Sequence, residues 1–290
     1  MAVAVGIAAV SSSGALIVLA AAPGLAIAFW RNALAAGALA PISLTVRRHE
    51  LRGAGTQKWS LMAGLALAVH FGTWVPSIKL TTIATSTALV CIQPIWTGLI
   101  AAATGRRLGG LAWLGIAAAV AGAVIAVGPD LRQGGDALLG DVLAIIGGIA
   151  GAVYTLLGER ARQGLTTTSY TFVCYGVCAA ALLLTCVLFG VPLIGFSAST
   201  WAAIAALTVG AQLLGHSMFN YAVHKVPATT ISVLVLLEVP GAGLLGWLLL
   251  DQTPPPVALA GIAVLIAGVA IAVLSPAAPT VRHPPQASVP

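Results

Sequence analysis

A chain of 290 residues with 59% hydrophobic and only 7% charged side chains is not a water-soluble domain, where about a quarter of residues carry charge. Its net charge of +6 comes from basic residues scattered among short loops rather than gathered on one face, which excludes nucleic acid as an expected partner. The composition defines an integral membrane protein.

Apolar windows predict ten spans, at 2–20, 25–45, 60–79, 83–104, 110–128, 138–158, 169–190, 200–222, 228–250 and 257–274. Breaker clusters separate them, among them Ala22-Pro23-Gly24, Gly128-Pro129-Asp130, Gly190-Val191-Pro192 and Pro254-Pro255-Pro256. In lipid each span must be a helix, because its backbone polar groups find no water. Segment length and the lack of alternation exclude barrel strands. The first segment lacks a basic lead, so it reads as a span rather than a secretory signal. With both termini on one side, ten of the 13 Lys and Arg residues share that side, which the positive-inside rule makes cytoplasmic. The expected location is a bacterial cytoplasmic membrane.

In span two, Arg31 lies about six residues from the outer end. It either snorkels to the headgroups or binds an anion such as a substrate carboxylate. Span three carries His70, Thr73, Trp74 and Ser77 on one face by steps of three and four. Span four carries Ser86, Gln93 and Thr97, with Pro94 beside them. Spans five and ten are almost wholly apolar and are expected to face lipid or a partner subunit. Span six offers Tyr154 as a cavity-wall hydroxyl. Gly147, Gly148 and Gly151 there, and Gly241, Gly243 and Gly246 in span nine, suit close helix contact. Span eight repeats Gln212, His216 and Asn220 every four residues, a polar stripe directed at a cavity or at a neighbouring helix.

Glu238 lies halfway along span nine, about 15 Å from either end at about 1.5 Å per residue. A charged carboxylate at that depth costs about 3 kcal/mol on insertion scales. It reads as a site for a proton or a substrate ammonium, or as a packing carboxyl bonded to another helix. Pro94 and Pro240 each free the carbonyl four residues back, that of Val90 and of Leu236, and are expected to kink their helices. Cys91, Cys174, Cys178 and Cys186 all fall in apolar segments without metal-ligand spacing and read as small apolar residues. No metal or cofactor is expected. The stretch after Leu274 is Pro-rich and polar, and is expected to be a disordered cytoplasmic tail.

Polar landmarks recur in order. His70, Lys79 and Gln93-Pro94 find counterparts at His216, His224-Lys225 and Glu238-Val239-Pro240, 144 to 146 positions later. With five spans per half, the second half enters from the opposite side, giving an inverted repeat in an all-α membrane fold of ten helices. The expected division is a first repeat over 1–128, a second over 137–274 and a tail over 275–290.

The sequence resembles the EamA-type branch of the drug/metabolite transporter superfamily. The likeness rests on Ala28-Phe29-Trp30-Arg31-Asn32, His70 to Trp74, Thr81 to Ser86 leading to Gln93-Pro94, Gly140-Asp141, Tyr154 to Arg160, Gly215-His216-Ser217 with Asn220, and Leu237 to Ala242. It implies two inverted five-helix units around a central cavity, and export or exchange of small metabolites, amino acids above all. Where the family carries Gly-Glu after spans four and nine, this chain carries Gly105-Arg106 and Asp251-Gln252. The function expected is secondary active transport by alternating access, with protons as a possible coupling ion, in a monomer or homodimer. An enzyme is not expected, since Glu238 is the one acid in a span core and no catalytic constellation accompanies it. The alternative is a lipid-linked flippase or a non-transporting sensor on the same scaffold.

Overall fold

A computed structural model describes residues 1–81, 83–106, 108–127, 136–250 and 256–275. Among these residues all regular structure is helical: α1 (Ala2–Val10), α2 (Ser13–Leu19), α3 (Gly24–Thr45), α4 (Ala54–Leu80), α5 (Ile83–Val90), α6 (Gln93–Ala103) and α7 (Gly110–Val127) in the first half. The second half holds α8 (Asp136–Ala161), α9 (Thr167–Leu188), α10 (Ala198–Leu207), a π-helical segment (Thr208–His216), α11 (Ser217–Ala222), α12 (Ala228–Val235), α13 (Glu238–Leu250) and α14 (Pro256–Leu274). Nine stretches of at least 18 residues are apolar enough to cross a membrane, and the shorter Gly110–Ala126 makes a tenth apolar helix. The ten expected spans are therefore present, within a few residues of their expected ends. The segment from 276 to 290 expected as a tail, Gly128-Pro129-Asp130, Pro254 and Pro255, Asp251 and Gln252, and Arg107, Arg132 and Arg282 lie outside the described residues. So do the surroundings of Gly246.

Three spans are not single α-helices throughout, and span one is a fourth. It breaks at Ser11–Ser12, where both hydroxyls turn back onto their own helix, to the carbonyls of Ile7 and Ala9. Span four breaks at Cys91–Ile92 and span nine at Leu236–Leu237. There the α-helical pattern gives way to i→i+3 bonds, from the Ile95 amide to the Ile92 carbonyl and from the Leu236 and Leu237 amides to the Val233 and Leu234 carbonyls. Each break lies just ahead of Pro94 or Pro240, which cannot donate to the preceding turn. The released Val90 carbonyl lies on α8 against Gly148, where an added Cβ would come within 2.9 Å of it. Pro41 and Pro76, by contrast, sit inside continuous helices. In span eight the widened turn over Thr208–His216 changes which side chains share a face.

The packing pairs exchange into one another when the halves are exchanged. Span two lies on span seven, span four on span nine, and span five on span ten. Span three lies along span six, and its counterpart, span eight, lies along span one. The bonding at span ends follows the same rule. Lys79 Nζ donates to the Ala20 carbonyl at the end of span one (2.8 Å), and His224 Nδ1 lies 3.2 Å from the Arg162 carbonyl at the end of span six.

Spans five and ten correct an expectation. They bury their small residues against each other rather than presenting them only to lipid or a partner. A Cβ on Gly122 or Gly268 would lie 2.7 Å from the Gly261 or Gly115 carbonyl of the facing helix, so both helices depend on bare backbone there. The expected close-contact glycines hold at Gly147, Gly148, Gly151 and Gly241, whereas nothing lies within 4 Å of a Cβ on Gly243.

Candidate functional site

The breaks in spans four and nine meet in the interior. Cys91 Sγ, at the first break, lies 3.9 Å from both the Val235 carbonyl and Glu238 Oε2 at the second. One turn further, the hydroxyls of Thr97 and Ser232 bond at 2.7 Å. Glu238 opens α13 and is 7% exposed. Its carboxylate faces a cavity of about 50 Å3, lined by His70, Trp74, Gln93, Tyr154, His216 and Asn220 together with Ser13, Cys91, Thr155 and Phe219. At roughly 10–15 Å3 of such volume per water, that is room for about four water molecules.

Each polar liner is held by its own element. His70 Nδ1 lies 2.8 Å from the Gly147 carbonyl; a carbonyl only accepts, so Nδ1 is the donor in this bond. Gly151 makes room for that ring and for Gln93 Oε1, because a Cβ there would stand 3.0 Å from His70 Nδ1 and 3.2 Å from Gln93. Trp74 stacks on His70 at 5.7 Å with an interplanar angle of 23°, and its buried Nε1 has no hydrogen-bond partner among the described residues. Tyr154 Oη and the Asn220 side-chain amide bond reciprocally at 2.9 and 2.7 Å. His216 stands between Tyr154 and Phe71, with ring centroids 6.1 and 5.2 Å away.

Two expectations separate at this point. The stripe Gln212, His216, Asn220 is not one face: the π-helical turn leaves His216 and Asn220 on the cavity and directs Gln212 to span two. There Gln212 Oε1 accepts from Arg31 Nε at 2.8 Å, and its amide donates to Asn32 Oδ1 at 3.0 Å. Arg31 does not snorkel. It is 0% exposed, and its guanidinium lies over the Phe71 ring at 4.1 Å. The span-three and span-four faces divide as well. Ser77 pairs with Ser86, Thr73 bonds its own helix at the Val69 carbonyl, and Thr97 goes to Ser232.

Sequence reasoning passed over Cys91, read as a small apolar residue, and Ser13, hidden in an unremarkable first span. A signal existed for Cys91: it stands two residues before Gln93, at the register of the break that precedes Glu238. Among the described residues no group of three or more His, Cys, Asp or Glu is placed to hold a metal ion.

A bundle of ten apolar helices, two of them interrupted beside a buried carboxylate and a cavity with polar liners, defines a polytopic membrane protein. Comparison with known proteins gives the particular kind. Residues 138–274 match the EamA-like transporter family. An uncharacterized transporter of Archaeoglobus fulgidus is 25% identical over 224 residues, covering 77% of this chain and 79% of that one. A solved crystal structure shares the fold, with a TM-score of 0.75 over 94% of this chain and 97% of that chain at 19% identity. The comparisons point to a membrane transporter rather than an enzyme.

Proposed function

We propose that the protein is a secondary transporter which exports or exchanges a small metabolite, an amino acid or a close relative, by alternating access around the Glu238 cavity. The observation that carries this reading is the position of Glu238. It is a buried carboxylate at the junction of two broken helices, one from each half, facing polar side chains from spans three, four, six and eight. In this reading Glu238 binds a proton or the substrate's ammonium group. His70, His216, Gln93, Tyr154, Asn220 and the free Trp74 N–H supply the remaining polar contacts. The interruptions at Cys91–Ile92 and Leu236–Leu237, set by Pro94 and Pro240, are the points where the two halves swing.

The exchange of packing pairs between the halves supports two inverted repeats over 1–128 and 137–274. The Lys and Arg distribution supports both termini being cytoplasmic in a bacterial cytoplasmic membrane. No nucleotide-binding loop occurs in the sequence, so a gradient of protons or of solute supplies the energy. A cavity of about 50 Å3 is too small for an amino acid and corresponds to a contracted state. On the face that carries the termini, inter-half bonds close the path. Arg106 of the first half bonds Glu159 at 2.5 Å, whose other oxygen accepts from the Ala228 amide opening α12. Glu50 accepts from the Thr166 amide and hydroxyl, both at 2.9 Å.

Proteoliposomes loaded with radiolabelled amino acids test the reading. Flux driven by an imposed pH gradient is expected in the wild type and lost in Glu238→Gln, which keeps the size and polarity but cannot ionise. Unchanged flux and coupling in that variant would remove Glu238 from the mechanism.

A further inference from the structure

The mechanism outlined above leaves the fully buried charge of Arg31 unused. Arg31 lies inside the bundle with no exposed surface, and Nη1 and Nη2 have no hydrogen-bond partner among the described residues. Among the described residues the ion pairs are Arg47–Glu50 and Arg106–Glu159, so no carboxylate neutralises it by contact. An unpaired guanidinium in a low-dielectric interior costs several kcal/mol, and a merely structural cation would be paired.

Its setting is built to orient it. Nε is taken by Gln212 Oε1 at 2.8 Å. Gln212 is itself fixed by Asn32, whose amide donates to the Ala28 carbonyl at 2.9 Å. The Phe71 ring covers one face of the plane at 4.1 Å. With the Nε edge occupied and a face blocked, the fork of Nη1 and Nη2 is left free. That fork matches the two oxygens of a carboxylate in a bidentate pair. Arg31 lies one layer behind the cavity wall: Phe71, which it covers, contacts the cavity liners His70 and His216, with centroids 4.8 and 5.2 Å away. Glu238 is within electrostatic reach of Arg31 without bonding it.

We infer that Arg31 is the carboxylate-binding residue of this transporter, so that its substrates carry a carboxylate which the guanidinium fork holds while Glu238 faces the rest of the solute. The inference rests on the transport reading above. It assigns the two charges separate tasks. The first half of the chain supplies the cation, the second half the acid, and neither has a charged counterpart at its repeat-related position: Gln93 stands opposite Glu238, and Tyr175 and Gly176 opposite Arg31.

The test uses the full-length protein in detergent and in proteoliposomes, with the standard amino acids as free acids and as their matching carboxamides. Binding is read by thermal shift and transport by counterflow. In the wild type, free acids are expected to bind at least about 30-fold more tightly than the amides, the discrimination a buried charge pair supplies. Arg31→Met is expected to abolish that preference while amide binding stays within about threefold, and Arg31→Lys to restore part of it. A wild type that treats acid and amide alike would overturn the inference and leave the transport reading standing; this arm does not depend on any variant folding. Arg31→Met and Arg31→Lys that weaken acid and amide equally would reduce Arg31 to a structural charge, again overturning it. If neither acids nor amides bind or move, the transport reading fails, and the inference with it.

Discussion

Tyr154 and Asn220 show how single residues hold the cavity wall. The hydroxyl and the amide each donate to the other, and the Asn220 carbonyl accepts from Arg162 Nε at 2.9 Å. Tyr154→Phe therefore leaves a buried amide unpaired, at about 1–3 kcal/mol. The expected result is a lower melting temperature, with a double-mutant cycle against Asn220→Leu returning a coupling of about 0.5–3 kcal/mol. A coupling near zero would mean that the pair is not formed. Outside the membrane, Glu50 makes a pH-dependent contact. Burial pushes its carboxyl up, but the Thr166 amide and hydroxyl, the Ser169 hydroxyl and Arg47 outweigh that and hold it below the usual value of 4.5. A carboxylate lowered on folding stabilises the folded state fully above its unfolded pKa and loses that contribution as pH falls through the folded one. Thermal melts from pH 7 down to pH 3 are therefore expected to fall less steeply in the acid range for Glu50→Gln than for the wild type. Parallel curves would show that the Glu50–Thr166 bond contributes nothing.

At the scale of elements, a proline's effect depends on what lies opposite it. Pro76 stays inside α4, where Gly24 lets α3 approach so closely that an added Cβ would be 2.8 Å from the Pro76 backbone. Pro94 and Pro240 stand beside interruptions whose neighbouring polar groups meet across the two halves. The α7–α14 seam is the sharpest case of packing by bare backbone. Gly268→Val would drive a side chain into the Ala119 backbone and separate two helices whose contact is otherwise continuous. Overpacking of this kind costs about 1–3 kcal/mol or more. The expected outcome is a clear fall in melting temperature and in yield of monodisperse protein, while Gly243→Ala, with open space around it, stays within about 0.5 kcal/mol of the wild type. Equal effects of the two substitutions would contradict the seam.

For the whole molecule, the cavity of about 50 Å3 and the bonds Arg106–Glu159 and Glu50–Thr166 describe one arrangement of the spans. Arg106 is about half exposed, so its pair with Glu159 contributes at most about 1 kcal/mol. In the alternating-access cycle proposed above, removing it shifts the closed-to-open equilibrium by no more than about fivefold. Cys91 is 0% exposed and lines the cavity. Arg106→Ala is therefore expected to speed maleimide labelling of Cys91 about two- to fivefold, read by mass spectrometry against Cys174, Cys178 and Cys186 in the same chain. Labelling unchanged, or raised equally at all four cysteines, would contradict a latch at Arg106.

Hydrophobic run length alone determined ten helices and their limits, because in a bilayer every backbone group must bond within its own segment and the apolar length needed is set by membrane thickness. Glu238, His70, Trp74, Gln93, Tyr154, His216 and Asn220, polar or aromatic residues legible inside the spans, do line one cavity, since polar groups in spans turn away from lipid. What the sequence left open was which of those residues share a wall. Regular helical steps placed Gln212 with His216; the π-helical turn over Thr208–His216 sent it to Arg31 instead. Arg31 six residues from a span end was legible equally as a headgroup contact or an anion site, and only the packing of Phe71, Gln212 and Asn32 around it buried the guanidinium. Cys91 beside Glu238, and the small-residue seam of spans five and ten, likewise depend on contacts between residues more than a hundred positions apart, which no local pattern encodes.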